Sequence, residues 1–180
     1  KNLDNAIVDQ LLIPELEKQC ELNDTLENES TKKLLQDALK KYAEEAKITL
    51  SSKEKWGHFL EDLGEDDEGE EIQADLDISL EQYEKVVSPI FQRAIDIVKN
   101  VLVRNNLSGS DLESLILVGG PTFQQTLRRM LKEQVTDKVD TSIDPMTAVA
   151  KGAALFASTK DIPRELQKRD SSKAQLSLKY

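Results

Sequence analysis

The chain has 180 residues, a formal net charge of −10, 38% hydrophobic residues and 32% charged residues. This length suits one domain, or two small subdomains that share a core. The excess of carboxylates argues against nucleic acid or an anionic membrane as a partner, because phosphates attract lysine and arginine.

The sequence also bears on membrane insertion, disulfides and targeting signals. The longest apolar runs, at 11–13 and 115–118, are too short to span a bilayer. The one cysteine, Cys20, excludes an internal disulfide and fits a reducing compartment, so we expect a cytoplasmic protein. Because Lys1 is not a start methionine and no signal peptide is visible, we expect the chain to be cut from a longer protein.

The first quarter of the chain is predicted to be mainly helical. Apolar residues recur at helical spacing from Leu3 to Leu11, and Pro14 should end or bend that helix. Residues 17–29 are polar and acidic, which predicts a loop or a frayed turn. A stronger helix follows at about 31–47, with an apolar stripe formed by Leu35, Ala38, Leu39, Tyr42 and Ala46.

An alternating pattern then predicts half-buried antiparallel strands. It begins at 48–52 and continues over 56–60 and 72–78, with the acidic segment 64–69 as the hairpin connection. Trp56 should anchor the hairpin and His58 should lie at or near the surface. The acidic run 65–71 lacks the ligand spacing of a calcium loop, which favours a solvated hairpin tip.

Capping residues mark the next elements. Ser79 and Gln82 form a capping box that predicts the start of a long helix, which Asn105 and Asn106 end. Ser108 and Asp111 should open a short turn. The segment 115–118 is apolar at every position, which predicts a buried central strand.

Gly119 and Gly120 follow that strand and lead into a helix carrying Leu127, Met130 and Leu131. Glycines at such a position let a ligand approach the backbone, but they also make a tight turn. On spacing alone the tight turn is the simpler interpretation, because two glycines are far from a complete phosphate-binding fingerprint.

The last elements are less regular. Asp144 and Pro145 open a helix of small residues that suits close packing on a sheet. Beyond Ser158 the chain is polar, with a short helix predicted to begin at 161–163 and an alternating, strand-like pattern at 175–180.

Three ordered motifs resemble the nucleotide-binding domain of the heat-shock protein 70 (DnaK) chaperones. They are Leu-Val-Gly-Gly-Pro-Thr at 117–122, Ser-Ile-Asp-Pro-Met-Thr-Ala-Val-Ala-Lys-Gly-Ala-Ala at 142–154, and Ala-Glu-Glu-Ala-Lys-Ile-Thr-Leu-Ser-Ser at 43–52. Asn2-Leu3-Asp4 is similar to the stretch after the family's second phosphate loop. The resemblance covers about residues 2–158.

The resemblance implies an α/β fold: an actin-like ATPase lobe with a small central sheet flanked by helices, plus an α+β outer subdomain with an antiparallel hairpin sheet. Residues 1–78 should form the outer subdomain. Residues 79–158 should form the long crossing helix and the inner actin-like subdomain, and 159–180 a polar linker toward a following domain.

The family's adenosine-contacting positions correspond to Glu44, Lys47 and Ser51 at the end of a helix, Gly119 and Gly120 at the floor of the pocket, and Phe123. Glu44, Lys47 and Ser51 recur at i, i+3 and i+7, so they share one helix face. Without the resemblance, Glu44 and Lys47 read as an ion pair on a solvated helix face.

Four positions depart from the family pattern. Pro121 replaces a serine, Phe123 the arginine that stacks on adenine, Ile48 a common second arginine, and Met146 an aspartate. A phenylalanine can stack on a base without the contribution of a cation. The alternatives, that Phe123 is a core residue or part of a lobe contact, stay open at this point.

By resemblance, the function is that of the adenosine-side lobe of an ATP-dependent chaperone that acts in protein folding. The resemblance implies ATP or ADP as ligand, with Mg²⁺ in the full-length protein alone, and no catalytic or metal residue in this piece. The implied partners are the first lobe of the same ATPase domain, a J-domain co-chaperone, a nucleotide exchange factor at the outer subdomain, and unfolded client peptides.

Both phosphate loops are missing from the sequence, so we expect the isolated chain not to hydrolyse ATP. The alternative is a degenerate, non-hydrolysing lobe that serves as a scaffold or co-chaperone-like module. A sugar- or acetate-kinase relative is disfavoured by the segment at 43–52, where the resemblance is to the chaperones.

Overall fold

The computed structural model describes residues 2–160. The helix predicted to begin at 161–163, the strand predicted at 175–180 and nearly all of the linker predicted at 159–180 lie outside the described residues.

The first helix continues through the proline that was expected to end or bend it. It comprises α1 (Asn2–Ile7), a π-helical turn (Val8–Leu12) and α2 (Ile13–Leu16). Within the wide turn, the Ile13 backbone N–H donates to the Val8 carbonyl five residues earlier. Proline has no N–H to donate, and the wider turn adjusts the hydrogen-bond pattern just before Pro14. The helix therefore runs past Pro14 with altered winding.

The prediction of a loop or frayed turn over the acidic segment 17–29 was wrong at 23–27, which are helical, whereas 17–22 form turns and coil. Helix α3 (Asn23–Glu27) is capped by Asp67, whose carboxylate accepts the backbone N–H groups of Asp24 and Thr25 at 2.8 and 2.9 Å. The cap lies more than 40 residues away in the chain. A local sequence pattern around α3 therefore cannot reveal this cap.

Helix α4 (Glu29–Thr49) is longer at both ends than predicted. Asn28 caps its N-terminus, because the Asn28 side chain accepts the Ser30 N–H. The predicted start of a strand at 48–52 was wrong: residues 48 and 49 complete α4, and 50–52 form a turn. Leu50 is buried because it follows the apolar stripe of α4.

Strands β1 (Lys55–Leu60) and β2 (Ala74–Ser79) form the predicted antiparallel hairpin. Trp56 pairs with Ile78 and is buried, as expected of an anchor. His58 is exposed and stacks beside the Trp56 ring. The acidic connection is mostly exposed, and an isolated antiparallel β-bridge pairs Glu65 with Glu71 within it.

Helix α5 (Leu80–Arg104) begins at the predicted capping box, in which the Ser79 hydroxyl accepts the Gln82 N–H and the Gln82 side chain accepts the Ser79 N–H. It ends at Asn105, and Asn106 adopts a left-handed conformation with φ of 53°. A second capping box, Ser108 with Asp111, opens a 3₁₀ turn (Gly109–Asp111) as predicted.

The segment 115–118 is not a strand buried on both faces, and that prediction was wrong. Strand β3 (Leu115–Ile116) pairs in parallel with β4 (Val139–Asp140) over two residues. Leu117 is buried, but Ile116 and Val118 are about half exposed, at 50% and 51%. In the described part of the chain, apolar groups cover one face of this segment.

The described chain ends in a 3₁₀ turn (Gly120–Phe123), helix α6 (Gln125–Gln134) and helix α7 (Ala148–Ser158). Helix α6 packs on α5, whereas α7 buries no side chain against residues 2–160. Its predicted packing on a sheet is therefore not present there. Within residues 2–160, no helix is both long and apolar enough to cross a membrane.

One hydrophobic core joins α1, α4, the hairpin and the first half of α5. Its fully buried side chains include Ile7, Leu12, Leu39, Leu60, Ile78 and Tyr83. This core fixes the end of α4 relative to α5. Helix α6 packs on α5, and the 3₁₀ turn at Gly120–Phe123 packs on α6.

Candidate functional site

A cleft of about 450 Å³ lies between the N-terminal helix, the end of α4 and the turn after β3. Five of the six residues expected to contact adenosine line it: Glu44, Lys47, Ser51, Gly120 and Phe123. The sixth, Gly119, lies next to the cleft, immediately before Gly120. Residues about seventy positions apart in sequence thus meet at a seam between elements, where small-molecule sites are common.

The α4 wall of the cleft carries polar groups that are already paired. The Lys47 ammonium forms an ion pair with Asp4, with 2.6 Å between Nζ and Oδ1, and both side chains are partly buried. The Ser51 hydroxyl donates to the Ile48 carbonyl at 2.6 Å. Glu44 is exposed on the same wall.

The Asp4–Lys47 pair also changes the titration of its carboxylate. Burial alone raises the pKa of Asp4, but hydrogen bonding and the positive charge of Lys47 are among the interactions that bring this pKa below its ordinary value. Asp4 is therefore ionised at neutral pH and holds the Lys47 side chain at the cleft wall.

The turn after β3 needs glycine at its first position. Gly119 has φ of 91° and ψ of 155°, a combination that side-chain-bearing residues rarely adopt. Its N–H donates to the Pro145 carbonyl at 3.0 Å, and its carbonyl accepts both the N–H and the hydroxyl of Thr122. These bonds fix the backbone that forms the floor.

Gly120 leaves this floor open. A Cβ atom at this position would meet no atom closer than the Met146 sulfur, at 3.8 Å. The backbone of the turn therefore faces the cleft without a side chain in front of it, which permits close approach of a ligand.

Three of the positions that depart from the family pattern form an apolar rim around the cleft. Ile48, Phe123 and Met146 all line the cleft and are 61%, 44% and 66% exposed. Phe123 is thus not a core residue, which removes one alternative left open by the sequence. Pro121, the fourth departure, lines the cleft as well.

Gln124 joins the two walls, and the sequence analysis missed it. Its side chain is 5% exposed, donates to the Lys47 carbonyl at 3.0 Å and accepts the Tyr83 hydroxyl at 3.0 Å. Tyr83 is fully buried, and burial together with the negative charge of Asp4 raises its pKa. A glutamine after a turn carries no local signal of this role, because both of its partners are distant in sequence.

The cleft offers groups for binding and no evident groups for chemistry. Within residues 2–160, no cluster of three or more histidine, cysteine, aspartate or glutamate side chains has the geometry of a metal site. Among the described residues that line the cleft, Lys47 is the sole cation, and Asp4 already forms an ion pair with it. The arrangement suits a neutral, planar ligand with hydroxyl groups.

Comparison with known proteins agrees with the motifs. The family model described as "Hsp70 protein" matches residues 1–166. The chain is 28% identical over 156 residues to the chaperone protein DnaK of Elusimicrobium minutum, covering 87% of the chain and 24% of the relative. It is 32% identical over 126 residues to DnaK of Mycoplasma mobile, covering 70% of the chain and 21% of the relative.

A third relative, the mitochondrial-type heat shock protein 70 of Encephalitozoon hellem, is 38% identical over 87 residues, which cover 48% of the chain and 15% of the relative. The chain thus spans about a quarter or less of the curated relatives it matches. Since the family model covers all of the described residues and the motifs meet at one cleft, the chain belongs to the heat-shock protein 70 family.

Proposed function

We propose that this chain is the adenosine-side lobe of an ATP-dependent chaperone of the heat-shock protein 70 type. The observation that carries the proposal is the meeting of Glu44, Lys47, Ser51, Gly120 and Phe123 around one cleft. Its volume of about 450 Å³ lies within the range of roughly 300–1,000 Å³ found for small-molecule sites.

Each wall of the cleft has a distinct role in this proposal. The Lys47 ammonium and the Ser51 hydroxyl are hydrogen-bonding groups for the ribose, with Asp4 holding Lys47 in place. The bare backbone at Gly120 lets the nucleoside lie close to the floor. Phe123 offers a π face on which the base stacks.

The phosphates of ATP have little to bind in this lobe. Within residues 2–160, Lys47 is the one cation that lines the cleft, and no cluster of side chains has the geometry of a metal site. The residues present therefore fit the nucleoside and not the Mg²⁺ ion. In the proposed full-length protein, the other lobe supplies the groups around the phosphates and the metal, since phosphoryl transfer depends on positioning both.

The remaining family roles follow from this placement. We propose that residues 1–78 form the outer subdomain, which an exchange factor contacts, and that 79–158 form the inner subdomain. A J-domain co-chaperone and unfolded client peptides are proposed partners of the whole protein. The isolated chain is expected to show no ATP turnover above a buffer control in a steady-state phosphate-release assay.

A second candidate function is a lobe that has lost nucleotide binding and serves as a scaffold. The observation in its favour is that Asp4 already occupies the Lys47 ammonium, while Ile48, Phe123 and Met146 stand where the family has charged residues. The two functions differ in whether the chain binds adenosine.

Calorimetric titration with adenosine and with ATP separates these functions. Wild type is expected to bind both weakly and with similar affinity, because affinity comes from base and ribose alone. Gly120→Val places a branched side chain into the cleft and should abolish binding. Gly152→Val is the matched control, because Gly152 lies in α7 with no atom within 4 Å of its Cβ position. Absence of adenosine binding to wild type would favour the scaffold.

A further inference from the structure

We propose that Arg128 is a positioning residue of this cleft, which acts through Phe123 and holds its phenyl ring as a stacking platform for a purine base. The proposal rests on the adenosine-binding role proposed above and deepens it. Arg128 lies in the first turn of α6, five residues after Phe123.

Arg128 is fixed by two contacts at the turn. Its Nε atom donates to the Thr122 carbonyl at 2.6 Å, and its Cζ atom lies 5.7 Å from the centroid of the Phe123 ring. Thr122 is itself bound to Gly119 through its hydroxyl. The guanidinium is thus anchored on the backbone of the residue that precedes Phe123, which sets its distance from the ring.

The two residues differ in their access to the cleft. Phe123 lines the cleft and is 44% exposed, whereas Arg128 is not among the residues that line it. The charge of Arg128 therefore reaches a ligand through the phenyl ring. A cation within about 6 Å of a ring centroid is attracted by the negative π face.

This arrangement favours a second planar group on the ring. A cation on one face draws π electron density toward itself and makes the rest of the ring less negative, which reduces the repulsion between two stacked π systems. It also favours one orientation of the ring, so less side-chain entropy is lost when a base stacks on it.

The composition of the rim points to a neutral base. At position 123 the family's arginine supplies a flat surface and a positive charge together, whereas here Phe123 supplies the surface and Arg128 the charge. Ile48 and Met146 complete the rim without a charged group. The rim therefore fits an uncharged, planar base stacked on Phe123.

Adenosine titrations of matched variants test the proposal. Arg128→Met should weaken adenosine binding by about two- to fivefold, the size of an exposed cation–π contact. Arg128→Lys keeps the charge and should recover most of that affinity. Arg129→Met is the control, because Arg129 is the neighbouring arginine but pairs with Glu84 at 3.0 Å, away from the cleft lining.

A double-mutant cycle separates positioning from a general structural effect. In a Phe123→Leu background, Arg128→Met should change the dissociation constant by less than about 1.5-fold, because the ring through which Arg128 acts is gone. A structural role at the Thr122 carbonyl would instead weaken binding equally in both backgrounds. Circular dichroism and amide NMR spectra of each variant check that the fold is retained.

The outcomes are distinct. If wild type binds adenosine but Arg128→Met binds equally well, or Arg128→Lys is as weak as Arg128→Met, the role of Arg128 is refuted and the proposed function stands. If wild type binds no adenosine, both the proposed function and this inference fail.

Discussion

Gln124 is the residue whose replacement tests the geometry of the cleft most sharply. Gln124→Leu removes a hydrogen bond to the Lys47 carbonyl and leaves the buried Tyr83 hydroxyl without its acceptor. Losing the first bond costs about 1 kcal/mol, and an unsatisfied buried hydroxyl costs about 1–3 kcal/mol more. We therefore expect the free energy of unfolding to fall by about 2–4 kcal/mol.

A second substitution shows where that cost arises. In a Tyr83→Phe background there is no hydroxyl to leave unpaired, so Gln124→Leu should cost about 1 kcal/mol or less. Urea denaturation of the four proteins of this cycle measures the coupling. Gln125→Leu, at the exposed neighbouring position, should change stability by less than about 0.5 kcal/mol.

Equal costs of Gln124→Leu in the two backgrounds would refute this reasoning. Such a result would mean that Gln124 does not accept the Tyr83 hydroxyl. The turn after β3 would then not be tied to α5 as described, and one of the two hydrogen bonds that hold Gln124 between the walls of the cleft would be absent.

Three further predictions concern strand β3, the glycine turn that follows it, and the cap of helix α3. Leu117→Ala should cost about 2–5 kcal/mol, toward the lower end because Ile116 and Val118 beside it are half exposed; a loss below about 1 kcal/mol in a denaturant melt would contradict the burial of Leu117. Gly119→Ala should lower the free energy of unfolding in a denaturant melt by about 1–3 kcal/mol, because Gly119 has a positive φ. Gly152→Ala, in the exposed helix α7, should raise it by about 0.5–1 kcal/mol, and the opposite order would refute the turn geometry. Burial raises the pKa of Asp67, but hydrogen bonds from α3 outweigh it, so the folded-state pKa lies below the unfolded value of about 3.9. The stabilisation that Asp67 gives to the fold is therefore complete above the unfolded pKa and is lost as pH falls through the folded pKa. Asp67→Asn should therefore destabilise the chain at pH 6, and the difference from wild type should shrink in melts toward pH 2; a constant difference would argue against the Asp67 cap.

Local signals in the sequence predicted the parts of the fold that local interactions determine. The capping box at Ser79 and Gln82 and the short turn opened by Ser108 and Asp111 are confirmed, because each depends on residues three positions apart. The hairpin is confirmed as well, because alternation of apolar residues within each strand sets which face of that strand is buried.

Distant partners explain what the sequence could not predict. The short helix α3 depends on Asp67, and the join between the cleft walls depends on Gln124. At Pro14, helix periodicity does not show that a wider turn lets the helix continue. At 115–118, an apolar run does not show which of its residues other elements cover: Leu117 is buried, but Ile116 and Val118 are half exposed.

The sequence predicted which residues meet at the cleft but not the contacts that their side chains make. The resemblance to the family selected five residues that line one cleft, although spacing alone gave no reason to join Lys47 to Phe123. The apolar rim was visible in the sequence as a set of departures. That Arg128 lies over the Phe123 ring depends on the path of the chain through the 3₁₀ turn, which the sequence does not reveal.

An NMR titration of the chain with adenosine tests the central claim most directly, because it reports where a ligand binds as well as whether it does. The account predicts that amide resonances of Lys47, Ser51, Gly120 and Phe123 shift together along one binding curve, while that of Gly152 in α7 stays in place. Adenosine that shifts none of these four residues, or that shifts residues elsewhere in the chain, would contradict the adenosine-binding role of this cleft.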